Sequence, residues 1–368
     1  MWFTLIGCQV LNARGVRQRY SKRMGRILFR GTVWKGTETL VQMSFYRNVV
    51  WFIKGMREYT RAGYESASKH FVAKDLDVSV VGLSFMITGA NSGIGKETAL
   101  AIAKKGGTVH LVCRNKERAE AAREEIARKS GNAEIYIHLL DLSETRKVWE
   151  FAEAFKKEYS SLNVLINNAG SMVNQRQLTS DGLEKNFATN ALGVYVLTKC
   201  LIPLMERSRD PRVVTVSSGG MLVKKLDTAD LQTERVVFDG TMVYAQNKRQ
   251  QVVMTEVLAK AHPKIHFSAM HPGWVDTPAV ATAMPQFHQL MQPRLRTPEQ
   301  GADTVVWLAL THAATANASG LFFQDRRAVS AHLPLAWTHS SQQEVQDFMA
   351  QLETLAMSVR PSVSSVDT

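Results

Sequence analysis

A doubly wound α/β fold is what this sequence predicts, and three observations carry the prediction. From residue 83 onward, short apolar runs rich in Val and Ile alternate with longer amphipathic stretches. Those runs lack the polar alternation of a strand with one wet face, so both faces are expected to be covered. A glycine-rich turn, TGANSGIGKETA at residues 88–99, joins the first run to the first helical stretch. Strand alternating with helix implies parallel strands linked by right-handed crossovers.

The elements follow in order. The apolar runs are LSFMIT (83–88), TVHLVC (108–113), EIYIHLL (134–140), NVLINN (163–168), RVVTVS (212–217), IHFSAM (265–270) and GLFFQD (320–325). Each is of strand length and predicts a seven-stranded parallel sheet. The intervening stretches 94–105, 116–129, 143–158, 182–206, 241–262 and 298–312 read as helices. The α/β domain is therefore expected over residues 79–338. Residues 43–78 form a separate helical segment, read over 43–76, with aromatic residues early and Lys/Arg interleaved. It is expected to pack on the main domain; the alternative is an interfacial membrane helix. Residues 339–368 are read as a polar, fraying tail.

Composition narrows the function classes. The 368-residue chain has a formal charge of +12, but residues 1–42 hold eight Lys/Arg against one acid, Glu38. The excess belongs to an extension rather than to a basic reading surface, which argues against nucleic acid as partner. That extension resembles a mitochondrial transit peptide in composition. An unstructured upstream extension, with Met43 starting a shorter form, is the preferred reading, and an intracellular location, cytoplasmic or peripheral to a membrane, is expected. Three well-separated cysteines, Cys8, Cys113 and Cys200, argue against a disulfide framework, and no His/Cys cluster has metal-ligand spacing. No apolar run suggests a membrane-spanning helix.

The turn at residues 88–99 has the context of a phosphate-binding loop. Gly89 takes the tight turn, Gly93 lets the backbone approach a ligand, and Gly95 lets helix and strand pack closely. The free N–H groups at the helix start then face a pyrophosphate. A glycine-rich turn without a ligand remains the alternative at this point. The second strand ends HLVCRNKE, with Arg114 and no acid before Glu117. An acid there would hold the adenosine ribose of NAD, whereas Arg114 suits the 2′-phosphate of NADP. NADP(H) is therefore expected over NAD(H).

The second constellation is Tyr244 and Lys248 in YAQNK. A spacing of four puts both side chains on one helical face. An ammonium beside a phenol favours phenolate and is expected to lower the tyrosine pKa, making general acid/base chemistry feasible. Ser217 and Ser218 end a strand where ligands sit in open α/β sheets.

With NNAG at residues 167–170 and HPGWVDT at residues 271–277, these motifs together resemble the classical short-chain dehydrogenase/reductases, over about residues 80–330. TGANSGIGKETA and RTPEQGADT resemble the retinol-dehydrogenase-like branch. The resemblance implies a Rossmann-type fold and a role for each matching residue. Tyr244 would donate the proton in reduction, and Lys248 would hold the nicotinamide ribose. Ser218 would orient the carbonyl, with Ser217 as fallback. Asn190 would anchor a water linking Lys248 to solvent. Gly89, Asn91, Ser92, Gly93, Ile94 and Gly95 would wrap the pyrophosphate, Arg114 the adenosine end, and Asp141 with Leu142 the adenine. Asn168, Ala169 and Gly170 would line the cleft, with Pro272, Gly273 and Thr277 flanking the nicotinamide. Gln246 and Asn247 stand where small residues are frequent in the family.

The expected activity is an NADP(H)-dependent carbonyl reductase or alcohol dehydrogenase. A Met-rich, apolar segment over 278–297 suggests a lid for a lipophilic small molecule. A homodimer and peripheral membrane contact are further expectations. The rival readings are an extended-type epimerase or dehydratase and a non-catalytic NADP-binding scaffold.

Overall fold

Strands whose residues are apolar on both faces belong in the middle of a layered domain, and here they form its central layer. The computed structural model describes residues 32–361. The strands are β1 (Ser84–Thr88), β2 (Thr108–Cys113), β3 (Ile135–Leu139), β4 (Val164–Asn167), β5 (Arg212–Val216), β6 (His266–Met270), β7 (Leu321–Gln324) and β8 (Arg327–Ala328). They run in the order β3-β2-β1-β4-β5-β6-β7-β8. The first seven pair in parallel, as expected, and the two-residue β8 folds back antiparallel on β7. Every residue of β1, β4 and β5 is buried, whereas β3 at the sheet edge is partly exposed.

The helices divide between the two faces. Helices over Thr145–Glu158, Gly193–Met205 and Gly240–Ala261 pack one face through Phe155, Leu197 and Met254. Helices over Gly93–Ala103, Lys116–Ser130 and Pro298–Leu310 cover the other through Ile102, Ile126 and Val305. Strand order reverses direction between β1 and β4, so the loops leaving these two strands part at their carboxyl ends and open a crevice. Cys113 and Cys200 are buried free thiols.

Upstream of the sheet, a helix over Thr32–Glu58 leads into a second over Arg61–Ser68. The break falls where Thr60 turns extended and caps the second helix by accepting from the Gly63 amide. The first helix begins within the expected extension, so residue 43 is not a structural boundary. Residues 1–31, which hold most of the basic extension, lie outside the described residues. The segment packs on the main domain, forming a third apolar cluster that groups Tyr59 with Met221, Trp274, Leu295 and Leu333.

One expectation is corrected here. The stretch after residue 338 is not a fraying tail as far as it is described. A helix over Gln342–Ser358 opens with a capping box from Ser341 and Glu344 and buries Phe348, Leu352 and Ala356. Their spacing of four makes one apolar stripe, which the surrounding Gln and Glu residues obscure. Trp149 Nε1 donates to the Ala356 carbonyl at 3.2 Å, fixing the helix to the Thr145–Glu158 helix. Within the helical run Lys185–Met205 an 18-residue window is apolar enough by composition to cross a membrane, but 89% of that window is buried, in keeping with the expectation of no membrane span among the described residues. It is a core helix.

Candidate active site

The glycine turn is built for close approach. Gly89 has φ +66° and Gly93 φ +54°, conformations L side chains rarely adopt. A Cβ on Gly95 would stand 2.5 Å from the Gly89 carbonyl oxygen and from Asn168 Nδ2, so any other residue would push the helix off the strand. The following helix starts at Gly93, and its N-cap, Ser92, supplies no side-chain hydrogen bond. The leading N–H groups are left to an anion. Asn168 latches the loop after β4 to this turn: its Nδ2 donates to the Thr88 carbonyl at 2.8 Å, and Thr88 Oγ1 accepts from the Asn168 and Ala169 amides. Thr277 packs over Gly93 and caps the next helix by accepting from the Val280 amide. Asn91, Ser92 and Ile94 are half-buried along the same loop.

The adenosine end is more open. Arg114 is exposed just beyond β2, with no acid in the positions that precede the helix. Asp141 Oδ1 accepts from the Ser143 amide and hydroxyl at 2.9 and 2.8 Å, which orients the carboxylate. The Leu142 side chain lies in the core, so only its backbone is available to a ligand. Together these groups fit a dinucleotide: unspent donors at the turn, a backbone no side chain crowds, and a free guanidinium beyond the second strand.

The chemistry sits across the crevice. The Gly240–Ala261 helix starts at Asp239, whose carboxylate accepts from the Thr241 and Met242 amides. One turn on, Tyr244 and Lys248 share a face, with Lys248 Nζ 5.3 Å from the Tyr244 ring centroid. Ser218 is half-buried at the end of β5 and accepts from the Gly220 amide at 3.1 Å. Ser217 is turned to the helix: its hydroxyl donates to the Lys248 carbonyl at 2.9 Å, so the expected fallback is a strut, whereas Ser218 is half-buried with its hydroxyl on the Gly220 amide. Asn190 lies in a widened helical turn over Ala188–Leu192 and exchanges hydrogen bonds with the Ser171 backbone at 2.8 and 2.7 Å. Such widened turns are frequent at functional sites. Gly170, next to Ser171, borders the Lys248 amine.

Electrostatically the pair departs from expectation. Burial pushes the Tyr244 phenol up to about 12 and the Lys248 ammonium down to about 7. Removal from water disfavours both charged forms. The anticipated lowering of the tyrosine pKa is therefore absent in the cofactor-free protein.

Three features escaped sequence reasoning. Gln251 touches both Lys248 and the Asn190 carbonyl; its signal was a polar residue three positions beyond the lysine. Arg296, 1% exposed, pairs with Asp325 through two bonds of 2.6 and 3.0 Å and also donates to the carbonyls of Pro272 and Glu58. It joins the loop carrying Pro272 and Gly273 to the end of the Thr32–Glu58 helix. Tyr59 packs edge-on against His271 at 4.3 Å, and His271 Nδ1 accepts from the Gly219 amide. Burial holds His271 well below the usual imidazole range, so it is neutral. Neither long-range contact has a local signature.

A glycine-lined dinucleotide crevice facing a strand-end serine and a Tyr-x-x-x-Lys helix defines a nicotinamide-dependent oxidoreductase. The family described as short chain dehydrogenase matches residues 84–286, and the chain belongs to that family. It is 65% identical over 314 residues to dehydrogenase/reductase SDR family member 12 of Bos taurus, covering 85% of this chain and 99% of that protein. It is 36% identical over 253 residues to retinol dehydrogenase 12 of Homo sapiens, covering 68% of this chain and 79% of the relative. Among solved structures, a short chain dehydrogenase of Escherichia coli complexed with NADPH superposes with a TM-score of 0.56 at 23% identity, covering 70% of this chain and all of that one.

Proposed function

We propose that this protein is an NADP(H)-dependent carbonyl reductase acting on a lipophilic small molecule through Ser218, Tyr244 and Lys248. The observation that carries the reading is the shared face of Tyr244 and Lys248, laid against the serine-bearing end of β5. A phenol held at about 12 is protonated at neutral pH, the state required of a proton donor in reduction. Ser218 orients the carbonyl oxygen, Tyr244 delivers the proton to it, and Lys248 holds the nicotinamide ribose. When bound, NADPH supplies the hydride.

NADP(H) is favoured over NAD(H) by Arg114 and by the NADPH bound in the E. coli neighbour. A lipophilic substrate is supported by the name of the retinol dehydrogenase relative and by Met284 and Leu290, which stay outside the buried core in the helix over Pro285–Met291 and the link before it. The test is NADPH consumption with steroids, retinoids and lipid aldehydes, for the native protein and Tyr244→Phe. Turnover should fall by about 10²–10⁴-fold in the variant, with NADPH affinity unchanged. A Phe variant with native turnover would overturn the mechanism. NADPH binding without turnover of any carbonyl would instead favour a non-catalytic scaffold.

A further inference from the structure

Lys248 is held from behind by a side chain with no assigned part in the chemistry. Its Nζ donates to the Val216 carbonyl at 2.9 Å and to Gln251 Oε1 at 3.1 Å. The other end of the same carboxamide, Gln251 Nε2, donates to the Asn190 carbonyl at 2.7 Å. Lys248 is 2% exposed, and Asn190 and Gln251 are fully buried. The orientation of the amide follows from its partners, because a lysine head donates and a backbone carbonyl only accepts. The resemblance to the family gives Asn190 a water that leads from the lysine towards solvent. Here the Asn190 carbonyl and the lysine head are joined directly by protein.

We propose that Gln251 is a positioning residue for proton transfer at Tyr244, its carboxamide tying the Lys248 head to the Asn190 carbonyl. The proposal rests on the reading of Tyr244 and Lys248 as the proton-transfer pair. A carboxamide neither gains nor loses a proton near neutral pH, so Gln251 holds the lysine without relaying protons. By accepting from Lys248 it favours the charged form over the neutral one. It also fixes the height of Nζ beside the Tyr244 ring, because the amide is anchored at its far end. The groups facing Lys248 are the Val216 carbonyl from β5, Asn190 from the widened turn, and Tyr244 and Gln251 from its own helix. Of these Tyr244 alone titrates, so a change at Gln251 is read without interference from a neighbouring carboxylate.

The experiment compares Gln251→Leu and Gln251→Glu with the native protein in two readouts. The first is the titration midpoint of Lys248 in cofactor-free protein carrying ¹³C-labelled lysine, with the resonance assigned by its loss in Lys248→Met. Losing the acceptor should lower the midpoint by about one pH unit, and placing a carboxylate against the lysine should raise it by about as much. The second is the pH profile of carbonyl reduction, which should shift in the same direction as the midpoint in each variant. A merely structural role would lower stability and rate but leave both pH readouts in place. Should the Leu variant fail to fold, Gln251→Ala, which removes the acceptor with less bulk to place, should show the same fall. An unmoved Lys248 midpoint in every folded variant overturns the proposal. A moved midpoint with an unmoved profile overturns the link to proton transfer. The reductase reading itself is decided separately, by Tyr244→Phe.

Discussion

Ser217 Oγ donates to the Lys248 carbonyl at 2.9 Å, and Lys248 Nζ reaches back to the Val216 carbonyl at the same distance. Adjacent residues at the end of β5 thus clasp one helical residue in both directions. The clasp sets Tyr244, one turn earlier, against the serine-bearing strand end. Ser217→Ala removes half of it while leaving Ser218 in place. Stability should fall by about 1 kcal/mol, as for an ordinary buried hydrogen bond. Urea unfolding checks the loss, and an unchanged midpoint would show that the helix is held by packing alone.

Arg114 is predicted to set cofactor choice. It stands exposed beyond β2, and no acid before Glu117 can hold a ribose diol. NADPH should bind more tightly than NADH, and Arg114→Asp should reverse the order. Titration of both cofactors by fluorescence tests this. Equal affinities in the native protein would remove Arg114 from the argument.

A chain beginning at Met43 should fold and bind NADPH. The helix over Thr32–Glu58 docks through residues beyond that point: Tyr46 donates to the Pro334 carbonyl, Arg47 to that of Ala336, and the Glu58 carbonyl accepts from Arg296. A chain beginning at residue 70 loses these and the Tyr59–His271 contact, exposing the buried Arg296–Asp325 pair. It should lose cooperative unfolding or bind NADPH much more weakly. Native-like melting and affinity in that shorter chain would show that the helix is an appendage.

Acid should destabilise the fold through a histidine pair at the sheet edge. His110 Nδ1 and His138 Nε2 lie 2.9 Å apart, packed among Phe155 and Tyr159. Burial pushes His110 down to about 3. Between that value and the ordinary pKa near 6.5 the unfolded chain binds the proton and the folded one does not, so stability falls as pH drops. For this group alone the slope is about 1.4 kcal/mol per pH unit below 6.5. His110→Phe should flatten the dependence between pH 7 and 5 in urea titrations. An identical slope in the variant would place the acid sensitivity elsewhere.

What could be read in the sequence was local. Seven strands were legible because each is a continuous apolar run, and the Gly89–Gly95 turn because its backbone conformations restrict residue type. Tyr244 and Lys248 were legible because helical period alone puts them on one face. The Gln342–Ser358 helix was missed because its stripe of Phe348, Leu352 and Ala356 is thin among polar neighbours, and only Trp149 and the core beside it explain why it folds there.

The sequence by itself determined the alternation of elements, the phosphate turn and the spacing of the acid/base pair, since each follows from backbone sterics or from a repeat of a few residues. Only the tertiary structure decided that Ser217 braces a helix through the Lys248 carbonyl while Ser218 stays half-buried beside it. The same holds for Arg296 reaching Asp325 and Glu58, and for Gln251 standing between Lys248 and Asn190. It also reversed the expected shift of Tyr244, because a pKa is set by how much water surrounds the charge. That depends on packing between segments far apart in the chain, for which no short stretch of sequence carries a signal.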